Sequence, residues 1–416
     1  MMLALYIDPG TGSMLFSIVI GLVTALYFLG KAAIIKLKFV VSGGKGTVSK
    51  NHYPLVIYSE GKRYWNVFKP VLKALEKRGV ATIFYTSSED DPFFSSSWEH
   101  ITGEFIGEGN KAFTRLNFLE ADVCLMTTPG LDVYQLKRSK GVRHYAHILH
   151  ASSDATTYRL FGLDYYDSVL LTGEYQKEHL RILEGQRNIR EKDLVVVGCT
   201  YLDVLQEKVA DFVKKDDSVF TVLVAPSWGP SAILSKYGAS LLDALVQTGF
   251  HIIVRPHPQS KLSEKDVLDT LEATYQGVDT LEWDYNPENL LSLSRADIMI
   301  SDFSGVVFDY AFLFDRPFLY VNSEFDSRPY DSHDIEEEPW IFRVLPEIGI
   351  ELKREDFGTI KDVLLKAYES TSLSENRKSA RDVAWQHRGE SGERVAEYLK
   401  KLLDNYSAIE YSEEKG

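Results

Sequence analysis

Two successive series of short apolar, strand-like runs, each separated by helix-like segments, constrain this chain more than any other feature. Such alternation builds parallel sheets wrapped by helices. The first series comprises residues 55–58, 81–85, 123–127, 144–149, 168–172 and 194–198, with a helical pattern over 67–78. The second comprises 220–225, 251–255, 297–300 and 317–321, with a helical pattern over 238–248. The polar stretch 208–218, which includes Lys214-Lys215-Asp216-Asp217, separates the two. The expected fold class is therefore α/β with two Rossmann-like lobes, over residues 51–210 and 218–387. Residues 388–406 show helical spacing through Val395, Leu399, Leu402 and Leu403, so 388–416 reads as a C-terminal helix with a frayed acidic end.

The bulk composition supports two packed lobes and excludes some partners. Of 416 residues, 44% are hydrophobic and 25% charged, a globular balance. The net charge of -14 repels nucleic acid, and no basic patch outside the N-terminal flank opposes it. Cys124 and Cys199 each sit in an apolar strand-like run and read as buried thiols in a reducing compartment. Residues 14–30 carry no charge, and the uncharged run reaches back to Pro9. That length suits one transmembrane helix, and Lys31, Lys36, Lys38, Lys45 and Lys50 beyond it put the large domain in the cytosol. Residues 1–50 are thus expected to be a membrane anchor with a basic linker, the N-terminus lying outside the cell membrane.

In doubly wound lobes, ligands bind where strand C-termini meet helix N-termini, so the residues just after each strand carry the functional information. Four clusters occupy such places. His147-Ile148-Leu149-His150 leaves a strand-like run; His150 suits a general base, or is an ordinary structural histidine, with His147 second and Asp154 a further fallback. Arg255-Pro256-His257-Pro258 holds an imidazole between two prolines at a strand end, where it can donate to a phosphate oxygen. Arg255 is either a ligand there or half of an ion pair. Ser301-Asp302-Phe303-Ser304-Gly305 joins a strand to an apolar helix. Ser304 and Gly305 fall at the helix start, an anion site and equally an ordinary cap. Ser227, in Ala225-Pro226-Ser227-Trp228, ends the first strand of the second series and faces the same cleft. No carboxylate pair or His/Cys cluster has metal-ligand spacing, so no obligatory metal is expected, while magnesium is compatible with a bound diphosphate.

These four clusters, in this order, resemble the CDP-glycerol glycerophosphotransferase family of teichoic-acid-type polymer synthesis. The family's Arg-x-His-Pro motif matches Arg255 to Pro258, and its hydroxyl-rich turn with a following Phe-Asp helix matches Ser301 to Asp309. Its Ala-Pro-Thr-Trp and His-Gly-Thr segments correspond to Ala225 to Trp228 and His150 to Ser152. Ala151 stands where the family has glycine, and Gly305 where a second serine is usual.

The resemblance implies a GT-B fold with an acceptor lobe before a donor lobe. It implies transfer of glycerophosphate, or a related polyol phosphate, from a CDP-linked donor to an envelope glycan or polyol-phosphate acceptor, with CMP released. In that reading His150 is the base, while His257, Arg255, Ser227, Ser301, Asp302, Ser304 and Gly305 serve the donor. Asp302 orients His257 or a donor hydroxyl, and Asp309 meets the ribose or its own neighbours. Two other readings share the pattern: a GT-B glycosyltransferase using a nucleotide sugar, and a catalytically silent, membrane-anchored scaffold that binds nucleotide or polymer.

Overall fold

The first series of apolar runs forms six strands of a seven-stranded parallel sheet, five interior and one at an edge. Its strands are β1 (Tyr53–Ser59), β2 (Thr82–Thr86), β3 (Ile101–Phe105), β4 (Glu120–Met126), β5 (Gly141–Ile148), β6 (Ser168–Leu171) and β7 (Asp193–Val196). Their spatial order is β3-β2-β1-β4-β5-β6-β7. The second series forms a six-stranded parallel sheet from β8 (Thr221–Val224), β9 (His251–Val254), β10 (Leu281–Trp283), β11 (Ile298–Ser301), β12 (Phe318–Tyr320) and β13 (Ile350–Glu351). The order here is β10-β9-β8-β11-β12-β13. In both sheets the strand order reverses beside the first strand, the place where doubly wound folds bind ligands.

The computed structural model describes residues 52–413 apart from 210–211, 213–218 and 323–324. The expected anchor and linker at 1–50 and the charged run at 214–217 lie outside the described residues. Among the described residues, no helix is long and apolar enough to cross a membrane.

Alternation of side chains along each strand buries both faces of the first sheet. Leu55, Ile57, Val123 and Leu125 face one core, while Val56, Tyr58, Cys124 and Met126 face the other. The helix Trp65–Lys77 covers the first face with Val67, Phe68, Val71, Leu72 and Leu75, the three-and-four spacing of an amphipathic helix. Truncating a side chain such as Leu72 to alanine would cost roughly 2–5 kcal/mol. Both cysteines are free and buried.

The chain returns to its starting lobe at the end. Trp385 is buried in the core of the second sheet and donates from its indole nitrogen to Asp203 at 2.8 Å. The other contacts of Asp203 are the amides of Gly389 (2.9 Å) and Ser391 (3.1 Å), which set the turn into the helix Ser391–Glu413. That helix contributes Val395, Ala396 and Leu399 to the core of the first sheet. It also crosses helix 65–77 closely: a Cβ on Gly392 would lie 2.6 Å from the Cβ of Pro70.

A loop residue and a helix end tie the two lobes together. Asp154, after β5, accepts from the amides of Trp340 (3.0 Å) and Ile341 (2.8 Å) and so caps the helix Trp340–Ile348 of the second lobe. Arg187 bonds Asp164 of its own lobe and Asp331 and Asp334 of the other, each at 2.7 Å.

Candidate active site

Register within the second sheet brings the ends of three strands to one level. Val224 of β8 pairs with Ile300 of β11 and with Val254 of β9, so Ala225, Arg255 and Ser301 emerge side by side. The backbone bonds confirm the step: Ala225 N–H donates to Ile300 O at 3.0 Å, and Arg255 N–H to Val224 O at 2.8 Å. In the first sheet, Tyr58 of β1 pairs with Met126 of β4, and Met126 with His147 of β5. Arg63, Tyr64, Thr127 and His150 therefore follow neighbouring strand ends.

These two edges enclose a cleft of about 330 Å³. It is lined from the first lobe by Arg63, Tyr64 and His150, and from the second by Arg255, His257, Asn289, Ser304, Gly305 and Asp309. A second chamber of about 440 Å³ shares His257, Ser304 and Gly305 with the first.

His150 is fixed on one side only. Its Nδ1 lies 3.2 Å from Thr127 Oγ1 and 3.2 Å from Tyr158 Oη, and the Tyr64 ring meets it edge-on at 5.5 Å. Nε2 is the nitrogen left for the cleft. Burial, with the positive charge of Arg63 adding to it, lowers this imidazole to about 4. His147 is fully buried inside β5 and bonds the other side of the Tyr158 hydroxyl through Nε2 at 3.2 Å. It does not line the cleft. Asp154 is likewise no base: both of its oxygens are committed to the cap between lobes.

His257 is held by its own turn. Its Nδ1 accepts the Gln259 amide at 3.1 Å, so the neutral ring carries its proton on Nε2 as a donor. Burial lowers its pKa and favours that neutral form.

The turn after β11 divides into a scaffold half and a half that lines the cleft, which corrects the expectation that all of it serves the donor. Ser301 is fully buried and donates its hydroxyl to Ala225 O at 2.6 Å. Asp302, also fully buried, accepts from the amides of Ser227 (2.8 Å), Ile233 (3.1 Å) and Ser304 (3.1 Å). It meets neither His257 nor open space; it ties the loop after β8 to this turn. Ser304 and Gly305 line both chambers at the start of the helix Val306–Phe314. The first helical amides to bond backward are Val307, to Ser304 O, and Phe308, to Gly305 O. The amides of Gly305 and Val306 have no acceptor among the described residues, and the positive end of the helix dipole lies with them.

Three other expected site residues are placed more specifically than their spacing allowed. Arg255 lines the cleft but is ion-paired with Asp284, and its second terminal nitrogen donates to Asn286 O at 2.7 Å, so it is an anchored cation rather than a free ligand. Ser227 lines the second chamber, not the first. Asp309 lines the first and accepts from Asn289 Nδ2 at 3.3 Å; burial raises its carboxyl to about 7. Among the described residues, no group of three or more His, Cys, Asp or Glu is arranged to hold a metal ion.

The cleft also uses residues that the strand-end clusters left out. Arg63 and Tyr64 follow β1, Tyr201 comes from the helix Thr200–Val209 after β7, and Asn289 is the cap residue before the helix Leu290–Arg295. Arg63 and Tyr64 were findable, since they stand at the switch point of the first sheet; Tyr158 and Thr127 reach His150 only through the fold.

Residues 151–345 match the sequence model of a family described as CDP-glycerol:poly(glycerophosphate) glycerophosphotransferase. No curated protein matches the chain by sequence. Among solved structures, the wall teichoic acid polymerase TagF soaked with CDPG aligns with a TM-score of 0.54 at 14% identity, over 90% of this chain and 98% of that one. A UDP-GlcNAc 2-epimerase from Methanocaldococcus jannaschii, in complex with UDP-GlcNAc and UDP, gives 0.53 at 14% identity over 84% and 100%. MnaA from S. aureus, with UDP, gives 0.55 at 14% identity over 85% and 97%. At such identities the likeness speaks for a shared two-sheet, GT-B-like fold. The cleft motifs from Ala225 to Asp309 all fall inside the matched segment, and over residues 151–345 the chain is similar to the CDP-glycerol:poly(glycerophosphate) glycerophosphotransferase family.

Proposed function

We propose that this enzyme transfers a glycerophosphate, or a related polyol-phosphate group, from a CDP-linked donor to a hydroxyl of an envelope glycan or polyol-phosphate acceptor. The observation that carries this reading is the shared cleft: His150 from one lobe faces the helix start at Ser304 and Gly305 and the imidazole of His257 from the other. The donor diphosphate rests on the free amides of that helix start and on the Nε2 proton of His257. Asn289 and Asp309 flank the same cleft, in reach of a nucleoside. Magnesium, where it accompanies the diphosphate, arrives with it.

The acceptor hydroxyl attacks the phosphorus that bears the polyol. Its proton passes to Nε2 of His150, whose own proton stays on Nδ1 and is donated to Thr127 or Tyr158. The bond from that phosphorus to the bridging oxygen breaks, and CMP leaves with the electron pair. Positioning and charge stabilisation supply most of the acceleration in such transfers. The low resting pKa of His150 suits this order of events: the ring is neutral before the donor binds, and the negative diphosphate then raises its basicity. We further infer that residues 14–30 tether the lobes to the cell membrane from the cytosolic side.

The test is nucleotide release by the full chain in membranes or detergent, with CDP-glycerol and an envelope extract as acceptor. Acceptor-dependent CMP is the expected product. Release of UDP or GDP from a nucleotide sugar, with none of CMP from CDP-glycerol, would overturn the reading.

A further inference from the structure

The second chamber has a chemistry of its own. Tyr134, Trp228, Phe303, Phe325, Tyr330 and Phe342 all line it. Four of these form one cluster: the Phe325 ring lies 5.1 Å from Tyr330, 5.5 Å from Phe303 and 5.1 Å from Phe342. Tyr134 of the first lobe and Trp228 of the second stay apart from that cluster and remain 51% and 36% exposed. Large aromatic side chains are seldom left uncovered on the walls of a cavity unless a flat apolar face is to be placed against them.

Charge narrows the class of ligand. No carboxylate or lysine lines the chamber, and apart from the shared His257 its one basic side chain is Arg159, at the surface. A linear polyol-phosphate chain carries one negative charge per unit and would need a row of cations; a protein of net charge -14 with one arginine here does not provide it. Hydroxyls are present instead, from Ser153, Thr157, Ser227 and Tyr158. Aromatic faces with scattered hydroxyls suit a neutral pyranose ring, whose C–H face packs on an aromatic ring while its hydroxyls bond at the edge.

Position narrows the role. The chamber meets the first cleft at His257, Ser304 and Gly305, where the donor phosphates are placed, and Tyr158 in its wall touches Nδ1 of His150. We propose that this chamber is the acceptor site and that it selects a neutral sugar ring over an anionic polyol-phosphate chain. The assignment rests on the transferase reading above for the word acceptor, but not for the binding of sugar.

Two measurements separate the two claims. The first is direct binding of a neutral pyranose disaccharide, and of a glycerol-phosphate trimer, to the full chain, with CMP as the donor-side probe. The disaccharide should bind, and Tyr134→Ala and Trp228→Ala should each weaken it about tenfold or more while CMP affinity stays within about threefold. Trp228→Phe, which keeps a ring, should retain most of the affinity. The proposal is wrong if the wild-type chain prefers the trimer, if it binds no disaccharide, or if the same alanine variants weaken CMP and spare the sugar. The second measurement is CMP release from CDP-glycerol with each acceptor. Sugar binding without any CMP release would leave the chamber standing and remove the transferase reading.

Discussion

The hydroxyl of Tyr158 lies 3.2 Å from Nδ1 of His150, with Nε2 of His147 at 3.2 Å on its other side. A residue outside the first cleft thereby meets the Nδ1 side of the candidate base. Tyr158→Phe removes one of two oxygens able to accept from Nδ1, leaving Thr127 alone. Turnover should fall about tenfold, the worth of one buried hydrogen bond, with the dissociation constant for CDP-glycerol unchanged. Steady-state CMP release together with donor titration checks this. An equal loss in both would mean that Tyr158 serves packing instead.

His150→Ala and His257→Ala should fail differently. Loss of a positioned base lowers turnover by about 10² to 10⁴ and leaves donor binding nearly intact. Loss of a phosphate donor damages turnover and donor affinity together, because that contact exists in ground and transition states alike. Near-normal turnover in His150→Ala would remove it as the base.

At the helix start, the prediction turns on charge rather than bulk. A Cβ added to Gly305 meets nothing within 4 Å, so Gly305→Ser should fold normally and hold the donor at least as tightly as the wild type. Ser304→Asp puts a carboxylate beside the free amides and should weaken the donor by about tenfold or more. Calorimetric affinity unchanged in Ser304→Asp would place the diphosphate elsewhere.

Asp309 sets stability against binding. Its buried carboxyl sits near 7, raised from 3.8 in the unfolded chain, so folding binds a proton and stability falls as pH rises through that window. Above pH 7 the buried group is ionised and opposes folding by an amount on the order of a few kcal/mol. Asp309→Asn should therefore raise the unfolding midpoint at pH 8 and leave it almost unchanged at pH 4. Donor affinity, measured alongside, should fall if the carboxyl meets the nucleoside.

The cap supplied by Asp154 to helix 340–348 spans the two lobes, and removing it should register in both folding and catalysis. Asp154→Ala leaves two buried amides unsatisfied and should cost about 1–2 kcal/mol of stability. Asp154→Asn, which keeps one acceptor oxygen, should recover part of it. Denaturant midpoints of the three proteins decide the matter.

Central strands were legible because burial on both faces demands continuous apolar runs; β1, β2, β4, β5, β6, β8, β9, β11 and β12 each coincide with one. The strands without such a signal, β3, β10 and β13, are all sheet edges, where one neighbour is missing and polar residues such as Glu104, Glu282 and Glu351 are tolerated; the fourth edge strand, β7, keeps the apolar run Leu194 to Val197 and was legible. In the cleft, His150, His257, Ser304 and Gly305 were legible from the strand-end rule, and Asp309 only from the family resemblance. Ser301 and Asp302 obey the same rule yet face inward, because spacing fixes which residues leave a strand but not which way each turns. Arg255 was ambiguous for another reason: its partner Asp284 follows β10, an edge strand with no pattern of its own.

Helix 391–413 completes the hydrophobic interior of the first sheet, although the ribosome makes it only after the entire second sheet. During synthesis, the first lobe therefore emerges with the apolar groove beside Pro70 uncovered and waits for a segment that is still unmade. The second lobe must form between two halves of its neighbour. A nascent chain of this order is one that trigger-type chaperones would hold, and a stop codon anywhere ahead of Val395 would spoil the lobe translated first.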